Sequence, residues 1–364
     1  MFGYPAHVIA FTVVGCGAWA AMLVWALKQQ KDRWYYIFLI AVATLFWWLG
    51  EALAIRRGKY EYAGFPWIAT LPGGSASHPD ILYKLMYAIS GRDSETALGI
   101  AACRNKWTIP IPVVALEAAI VFSMLRLSIL RFKGRGWRPA MATSGFSALL
   151  MINLTMVLDP VVSTTNACAP LQHPHTLLNF GLWNWITYDQ FPGYWLGIPL
   201  INYSAWFMAS FVFGLVARWD DMGPGGVIRK EKFWVGYVPR ALAVVAFLMA
   251  ILLYPYFKFA AVLSRGGAVW QFGLIGLLLL GGAFLVIFFG REYHNPEFKL
   301  IFWVPQLLVL GFCFLLLLYQ PTATLVLLWG LSASIVTVLM GWPRIEKAVE
   351  RSKQPKLGDF VGRT

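Results

Sequence analysis

The chain contains many uninterrupted apolar runs, each long enough to cross a lipid bilayer as a helix. A transmembrane α-helix needs about 20 consecutive, mostly apolar residues. Of the 364 residues, 59% are hydrophobic and 13% are charged, whereas about a quarter of a soluble domain is charged. These runs predict an all-α, polytopic membrane protein whose core forms between helices inside lipid.

Breaks between the apolar runs predict about nine transmembrane helices. The predicted spans fall near residues 6–27, 34–55, 108–130, 139–159, 194–217, 236–262, 269–290, 299–319 and 322–341. The last two are joined at Gln320-Pro321, which we interpret as a tight helical hairpin. Residues 1–343 would then form a single transmembrane domain, followed by a basic cytoplasmic tail at 344–364.

Basic residues concentrate in alternate connectors, and this asymmetry predicts the orientation. They follow spans one, three, five, seven and nine: Lys28, Lys31 and Arg33; Arg131, Lys133, Arg135 and Arg138; Arg218, Arg229, Lys230 and Lys232; Arg291 and Lys299; Arg344, Lys347, Arg351, Lys353 and Lys356. The N-terminus is therefore predicted outside and the C-terminus in the cytoplasm. Since this topology explains the net charge of +13, the charge does not indicate nucleic-acid binding.

Two large connectors, 56–107 and 160–193, are predicted to lie outside. The first is basic, but long loops follow the charge rule weakly. Cys103 lies in the first connector and Cys168 in the second. A disulfide between them requires that the loops meet in an oxidising compartment, and two free thiols are the alternative.

Polar groups at similar depth on four predicted helices point to a functional site. A charge inside the bilayer is expensive and is a functional hypothesis by default. Glu51 lies near the outer end of span two, and Glu117 about nine residues into span three. Asp159 ends span four, with Asn153 before it, and Asn202 is placed about two turns into span five.

Each of these groups also has a structural interpretation. Asp159 precedes Pro160 at a predicted helix end and can face water there. Glu51 can snorkel to the interface or pair with Arg56 or Arg57. Glu117 can serve as a protonated interhelical hydrogen-bond donor, and Asn202 as an interhelical contact.

Absent motifs narrow the chemistry. The histidines do not form the repeated clusters of a membrane di-iron enzyme, and His173-Pro-His175 alone is a weak metal motif. No dinucleotide fingerprint is present. Carboxylic acids beside aromatic rings suit protonation of a carbon–carbon double bond, because an acid in a low-dielectric site has a raised pKa. Aromatic faces can stabilise the resulting carbocation.

Several short patterns resemble the membrane carotenoid-biosynthesis family. They are Gly50-Glu51, Gly58-Lys59-Tyr60-Glu61-Tyr62, Asp159-Pro160, Trp183-Asn184-Trp185, and the run YWLGIPLINYSAWF at 194–207. The resemblance covers roughly residues 47–215. The family includes carotenoid hydratases of the bisanhydrobacterioruberin and γ-carotene type. The 70–107 insertion and the spans past about 290 depart from the family pattern, as does Arg56-Arg57.

The resemblance implies addition of water across the terminal 1,2 double bond of a ψ-end carotenoid, without any cofactor or metal. We expect Asp159 to protonate the alkene and Glu51 or Glu117 to position the water. Asn202 and Tyr203 would order that water. Further substrate-binding candidates are Trp183, Trp185, Tyr194, Tyr60, Tyr62 and Asn153.

The expected partners are a lipophilic polyene substrate, membrane lipid and other membrane enzymes of the carotenoid pathway. The expected location is the plasma membrane of a bacterium or archaeon. Two alternatives stay open at this point. One is a terpene or carotenoid cyclase or isomerase, and the other is a non-catalytic polyene- or lipid-binding or structural subunit.

Overall fold

The computed structural model describes residues 6–29, 33–56, 60–62, 70–72, 108–165, 183–185, 193–218, 266–290 and 300–317, and the single residues 242, 246 and 262. The described backbone is predominantly helical, and six of its helices are long and apolar enough to cross a membrane. This supports the predicted helical membrane architecture. The spans predicted at 236–262 and 322–341 lie outside the described residues, apart from those single positions.

The described helices follow the apolar runs closely. Their bounds are α1 Ala6–Leu27, α2 Arg33–Arg56, α3 Ile111–Arg131, α4 Trp137–Val162, α5 Leu200–Ala217, α6 Gly267–Gly290 and α7 Val304–Leu317, the last preceded by a 3-10 turn at Leu300–Phe302. Only residues 132–136 lie between α3 and α4, which pack against each other, so these two neighbours run antiparallel.

Five three-residue strands, which the sequence patterns did not predict, lie in the connectors. They are β1 Tyr60–Tyr62, β2 Thr70–Pro72, β3 Thr108–Pro110, β4 Ser163–Thr165 and β5 Trp183–Trp185. β5 pairs with β1 antiparallel and with β4 parallel, while β2 and β3 form a separate antiparallel pair. We call the end of the bundle that carries them, where α2 and α4 finish and α3 and α5 begin, the strand end.

The two central helices are α3 and α4, most of whose residues are buried. α1 and α2 pack against α3, while α5 and α6 pack against α4. Gly282 lets α6 approach closely, since a Cβ there would lie 2.9 Å from Leu149 Cγ and 3.2 Å from Phe207 Cε2. Small residues at such contacts are typical of helices packed in membranes.

The outer surface of α6 is apolar. Val269 is 82% exposed and Leu280 is 72% exposed. The buried positions Gln271, Ile275, Gly282 and Val286 form one stripe toward the bundle. A helix whose outward side chains are large and apolar suits contact with lipid.

The structure corrects the predicted start of span five. Residues 194–199 form a turn in which Trp195 and Ile198 exchange backbone hydrogen bonds of 3.1 and 2.9 Å. Leu196 and Gly197 have φ values of 51° and 88° in this turn. α5 begins only after Pro199, whose fixed φ suits a helix start. Asn202 therefore lies in the first turn of α5, and the predicted depth of two turns is wrong.

Two further boundaries differ from the predictions. α4 continues through Pro160 to Val162, so Asp159 lies inside the helix and does not end it. α3 begins at Ile111 after Pro110, which places Glu117 about 9 Å from the helix start at 1.5 Å per residue. The corrected boundaries place Asn202, Asp159 and Glu117 at more similar distances from the strand end than the sequence predicted.

Two arginines close the end opposite the strands. The buried Arg218 donates hydrogen bonds to the carbonyl oxygens of Phe132, at 3.2 Å, and Gly134. Arg126 on α3 lies over the rings of Tyr36 and Trp25, 4.6 and 5.6 Å from their centroids. Both guanidinium groups thus connect helices to each other or to a turn.

Candidate catalytic site

Three carboxyl groups from three helices come together at the strand end. Glu51 on α2, Glu117 on α3 and Asp159 on α4 are 5%, 9% and 4% exposed. The Glu51 and Glu117 side chains share a hydrogen bond, and Asp159 is close enough to interact electrostatically with both. Like-charged groups packed together away from water are characteristic of functional sites.

The strands hold the ends of the three carboxyl-bearing helices. β1 follows α2, β4 continues directly from α4, and β5 hydrogen-bonds to both strands. β3 leads straight into α3. Each carboxyl group therefore lies within nine residues of a strand along the chain, and Asp159 lies four residues before β4.

α5 adds an amide and a phenol to the cluster. Asn202 Nδ2 donates a hydrogen bond of 2.6 Å to Asp159 Oδ2. Tyr203 is fully buried and interacts electrostatically with Asp159. Among the described side chains, Tyr203 Oη and Glu117 Oε2 have no hydrogen-bond partner. Buried polar atoms without partners require an explanation, and a water or ligand hydroxyl would supply one.

Pro160 connects the cluster to the turn before α5. Proline has no N–H, so the helix carbonyl four residues earlier, that of Met156, loses its usual donor. Trp195 Nε1 donates to this oxygen instead, at 3.0 Å. A proline in the last turn of a helix was the only sequence signal that could have predicted this contact.

The two predicted tryptophans of β5 are both buried at the strand end. Trp183 and Trp185 are 7% and 3% exposed, and alternate residues of a strand point to one face. The Trp183 ring meets the ring of Phe11 on α1 edge-on, with centroids 6.1 Å apart. The structure thus places two buried indole rings at the strand end.

The sequence analysis did not predict a second aromatic pair, which is formed by Trp47 and Trp206. Their rings stack with centroids 4.0 Å apart and an interplanar angle of 28°. Trp47 precedes Glu51 by four residues, and Trp206 follows Asn202 by four. Residues four apart share a helix face, so this pair lies one turn from the carboxyl cluster. The spacing was visible in the sequence, but the contact depends on how α2 and α5 face each other.

The remaining candidates are more peripheral or lie outside the described residues. Tyr194 is 37% exposed in the turn before α5. Asn153 is half-buried on α4, turned about 120° from Asp159 by their six-residue separation. Tyr60 and Tyr62 lie in β1, with backbones paired to Trp185 and Trp183. Cys103 and Cys168 lie outside the described part of the chain.

Two structural interpretations of the carboxyl groups are wrong. Asp159 does not face water, and Glu51 does not snorkel to the interface, because both side chains are buried. The suggested partners of Glu51, Arg57 and the Arg56 side chain, lie outside the described residues. The interpretation of Glu117 as an interhelical hydrogen-bond donor agrees with its bond to Glu51.

The arrangement provides the components of acid–base chemistry. A hydrogen bond between two carboxyl groups requires a proton on one of them. Asn202 donates to an oxygen of Asp159, and such a bond stabilises a carboxylate more than a carboxylic acid. The site can therefore hold a proton at one carboxyl group and stabilise the negative charge left at another.

Comparisons with known proteins add no family assignment. No family model matches the chain, and no solved structure matches it. The geometry of the cluster and the resemblance stated above are therefore the basis for its function.

Proposed function

We propose that this chain is a cofactor-independent membrane hydratase that adds water across the terminal 1,2 double bond of a ψ-end carotenoid, producing a tertiary alcohol. The observation that carries the proposal is the buried cluster of Glu51, Glu117 and Asp159, each from a different helix. The acid chemistry follows from this cluster. The substrate class follows from the sequence resemblance.

In the proposed reaction, Asp159 gives its proton to the less substituted alkene carbon. The Asn202 amide stabilises the carboxylate that results, and nearby indole faces stabilise the tertiary cation. A water molecule then attacks the cation and loses a proton to the unprotonated member of the Glu51–Glu117 pair. Transfer of one proton within the cluster back to Asp159 restores the starting state, so the reaction consumes only water and alkene.

Tyr203 is the proposed ligand of the attacking water. Its buried hydroxyl lies beside Asp159 and has no partner among the described side chains. Bound water would satisfy this hydroxyl, and Glu117 Oε2 is a second buried atom without a partner among the described side chains. Ordering the water in this way favours capture of the cation over loss of a proton from it.

The proposal includes the topology predicted from the sequence. Nine spans with an outside N-terminus and a cytoplasmic C-terminus place the strand end, and with it the cluster, in the outer half of the plasma membrane. The substrate would reach the cluster from the bilayer, where the other membrane enzymes of the pathway also work.

Expression of the chain in a lycopene-producing host, followed by mass analysis of the pigments, tests the proposal. Hydration predicts a product heavier than its precursor by one water. An unchanged mass with altered chromatographic retention would instead indicate cyclisation or isomerisation, which use the same protonation step. Unchanged pigment would reject catalysis on this substrate and favour a non-catalytic role for the cluster in joining helices.

A further inference from the structure

The four helices that carry the polar site form an arc. α2 packs closely against α3, α3 against α4, and α4 against α5, backbone beside backbone. α2 and α5 lie at the two edges of this arc. In the described part of the chain, these two helices meet through side chains instead of close backbone packing. We call this contact the α2–α5 seam.

The seam is built from aromatic side chains along most of its length. Its contacts occur at three levels: Trp47 to Trp206, with centroids 4.0 Å apart; Phe46 to Phe213, at 5.3 Å; and Tyr35 Oη to the carbonyl oxygen of Ala217, at 3.1 Å. Tyr35 and Trp47 are twelve residues apart on α2, so the seam is about 18 Å long.

At the strand end of the bundle, the seam lies next to the carboxyl cluster. Trp47 shares a helix face with Glu51, and Trp206 shares one with Asn202, which holds Asp159. A molecule lying between the two indole rings would therefore have its end beside these polar groups. Its body would contact mainly aromatic rings, down to the Tyr35 hydroxyl and the Ala217 carbonyl at the far end of the seam.

We propose that the α2–α5 seam binds the hydrocarbon chain of the substrate, an extended isoprenoid polyene, between the indole rings of Trp47 and Trp206. The identity of this ligand rests on the proposed function. A conjugated chain is flat, and two nearly parallel indoles offer flat apolar faces on either side of it. The terminal double bond would then reach Asp159, one helical turn away.

The seam is also the side of the arc that opens at the lowest cost. The carboxyl groups are buried, so a substrate must separate some of the surrounding elements to reach them. Parting two stacked rings requires only local changes of side-chain rotamer. Parting α4 from α5 would instead separate two closely packed backbones.

Binding measurements on the full chain in lipid nanodiscs test the seam without requiring turnover. The Asp159→Asn variant serves as the background, so that lycopene is bound but not consumed. Trp47→Leu and Trp206→Leu are each expected to raise the dissociation constant of lycopene about tenfold, because an apolar face is lost. Trp47→Phe and Trp206→Phe, which keep a ring, are expected to raise it about threefold.

Phe288→Leu is the matched control, because Phe288 also stacks on a ring, that of Phe284 at 4.7 Å, but on the exposed surface of α6. It should leave the dissociation constant unchanged. If the leucine variants fail to fold, the phenylalanine variants decide the test. Equal lycopene affinities in seam and control variants would overturn the proposal that the seam binds the polyene. The absence of any lycopene binding would also overturn it.

The two proposals fail in different ways. Suppose that the seam variants bind lycopene more weakly but the unmodified chain gives no hydrated product. This result would reject the proposed hydration and retain the seam as the binding site. Hydrated product from the unmodified chain, combined with unchanged binding in the seam variants, would retain the reaction and reject the seam.

Discussion

The ionisable side chains at the two ends of the helical bundle have different kinds of neighbours. At the end away from the strands, the Arg218 guanidinium donates to two backbone carbonyls, and that of Arg126 lies over aromatic rings. At the strand end, Glu51, Glu117 and Asp159 pack beside one another. These two cations have contacts of complementary character, whereas each carboxyl group, including Asp159 with its Asn202 donor, lies beside other carboxyl groups.

This difference separates a structural role from a functional one. A buried charge with complementary partners can support the fold, and removing it leaves those partners unsatisfied. Burying several ionisable groups together opposes folding, because each must be kept protonated or lose its hydration, and such arrangements persist where function requires them. We therefore expect substitutions at the arginine end to change stability, and substitutions at the carboxyl end to change activity.

Asp159→Asn should give the largest effect. Its loss as an acid is expected to lower hydrated product by about 100-fold or more, the usual contribution of general acid catalysis. Pigment mass analysis measures the product, and thermal unfolding in detergent checks the fold. Thr155→Val is the matched control, because the Thr155 hydroxyl donates within its own helix, to the carbonyl oxygen of Met151 at 3.0 Å. Full activity of Asp159→Asn would refute its role as the acid.

Arg218→Leu tests the opposite end. The change leaves the carbonyl oxygens of Phe132 and Gly134 without this donor, and we expect a loss of about 2–4 kcal/mol in the free energy of unfolding. Activity per folded molecule should be retained. Arg138→Leu removes an exposed cation from the same end and should leave the Tm nearly unchanged. Lost activity in folded Arg218→Leu protein would contradict the division between the two ends.

Glu117→Gln should separate activity from stability at the carboxyl end. It keeps the shape and hydrogen-bonding capacity of the side chain but removes one acid from the cluster. Removal of one buried ionisable group is expected to stabilise the fold by about 1 kcal/mol, while product formation falls about tenfold. Glu51→Gln should behave in the same way, since the two groups share one hydrogen bond. A lower Tm with unchanged activity would assign Glu117 a purely structural role.

Trp195→Phe should give the smallest effect. It removes the donor to the Met156 carbonyl, and we expect a loss of about 1 kcal/mol in the free energy of unfolding. Pro160→Ala restores a backbone N–H four residues after Met156. The double variant should therefore recover part of the Tm lost in Trp195→Phe. No recovery would show that the indole contributes through packing and not through its hydrogen bond.

Much of the helical framework could be predicted from the sequence because apolar runs of membrane-spanning length leave few alternatives to a helix. α1 has the predicted bounds, and α2 and α6 differ from theirs by one or two residues. The start of α5 could not be located in this way. Residues 194–199 continue the apolar, aromatic composition of the helix, while the positive φ values of Leu196 and Gly197 form a turn.

The sequence by itself determined that four apolar helices each carry a carboxyl or amide group toward the same end of the bundle. That level follows from the position of each group relative to the breaks between apolar runs, although the exact helix starts do not. Tertiary structure decided which of these groups touch. Helix rotation and register joined Glu51 to Glu117 and Asn202 to Asp159, and they stacked Trp47 on Trp206. These contacts depend on side chains that are far apart along the chain, so no local pattern specifies them.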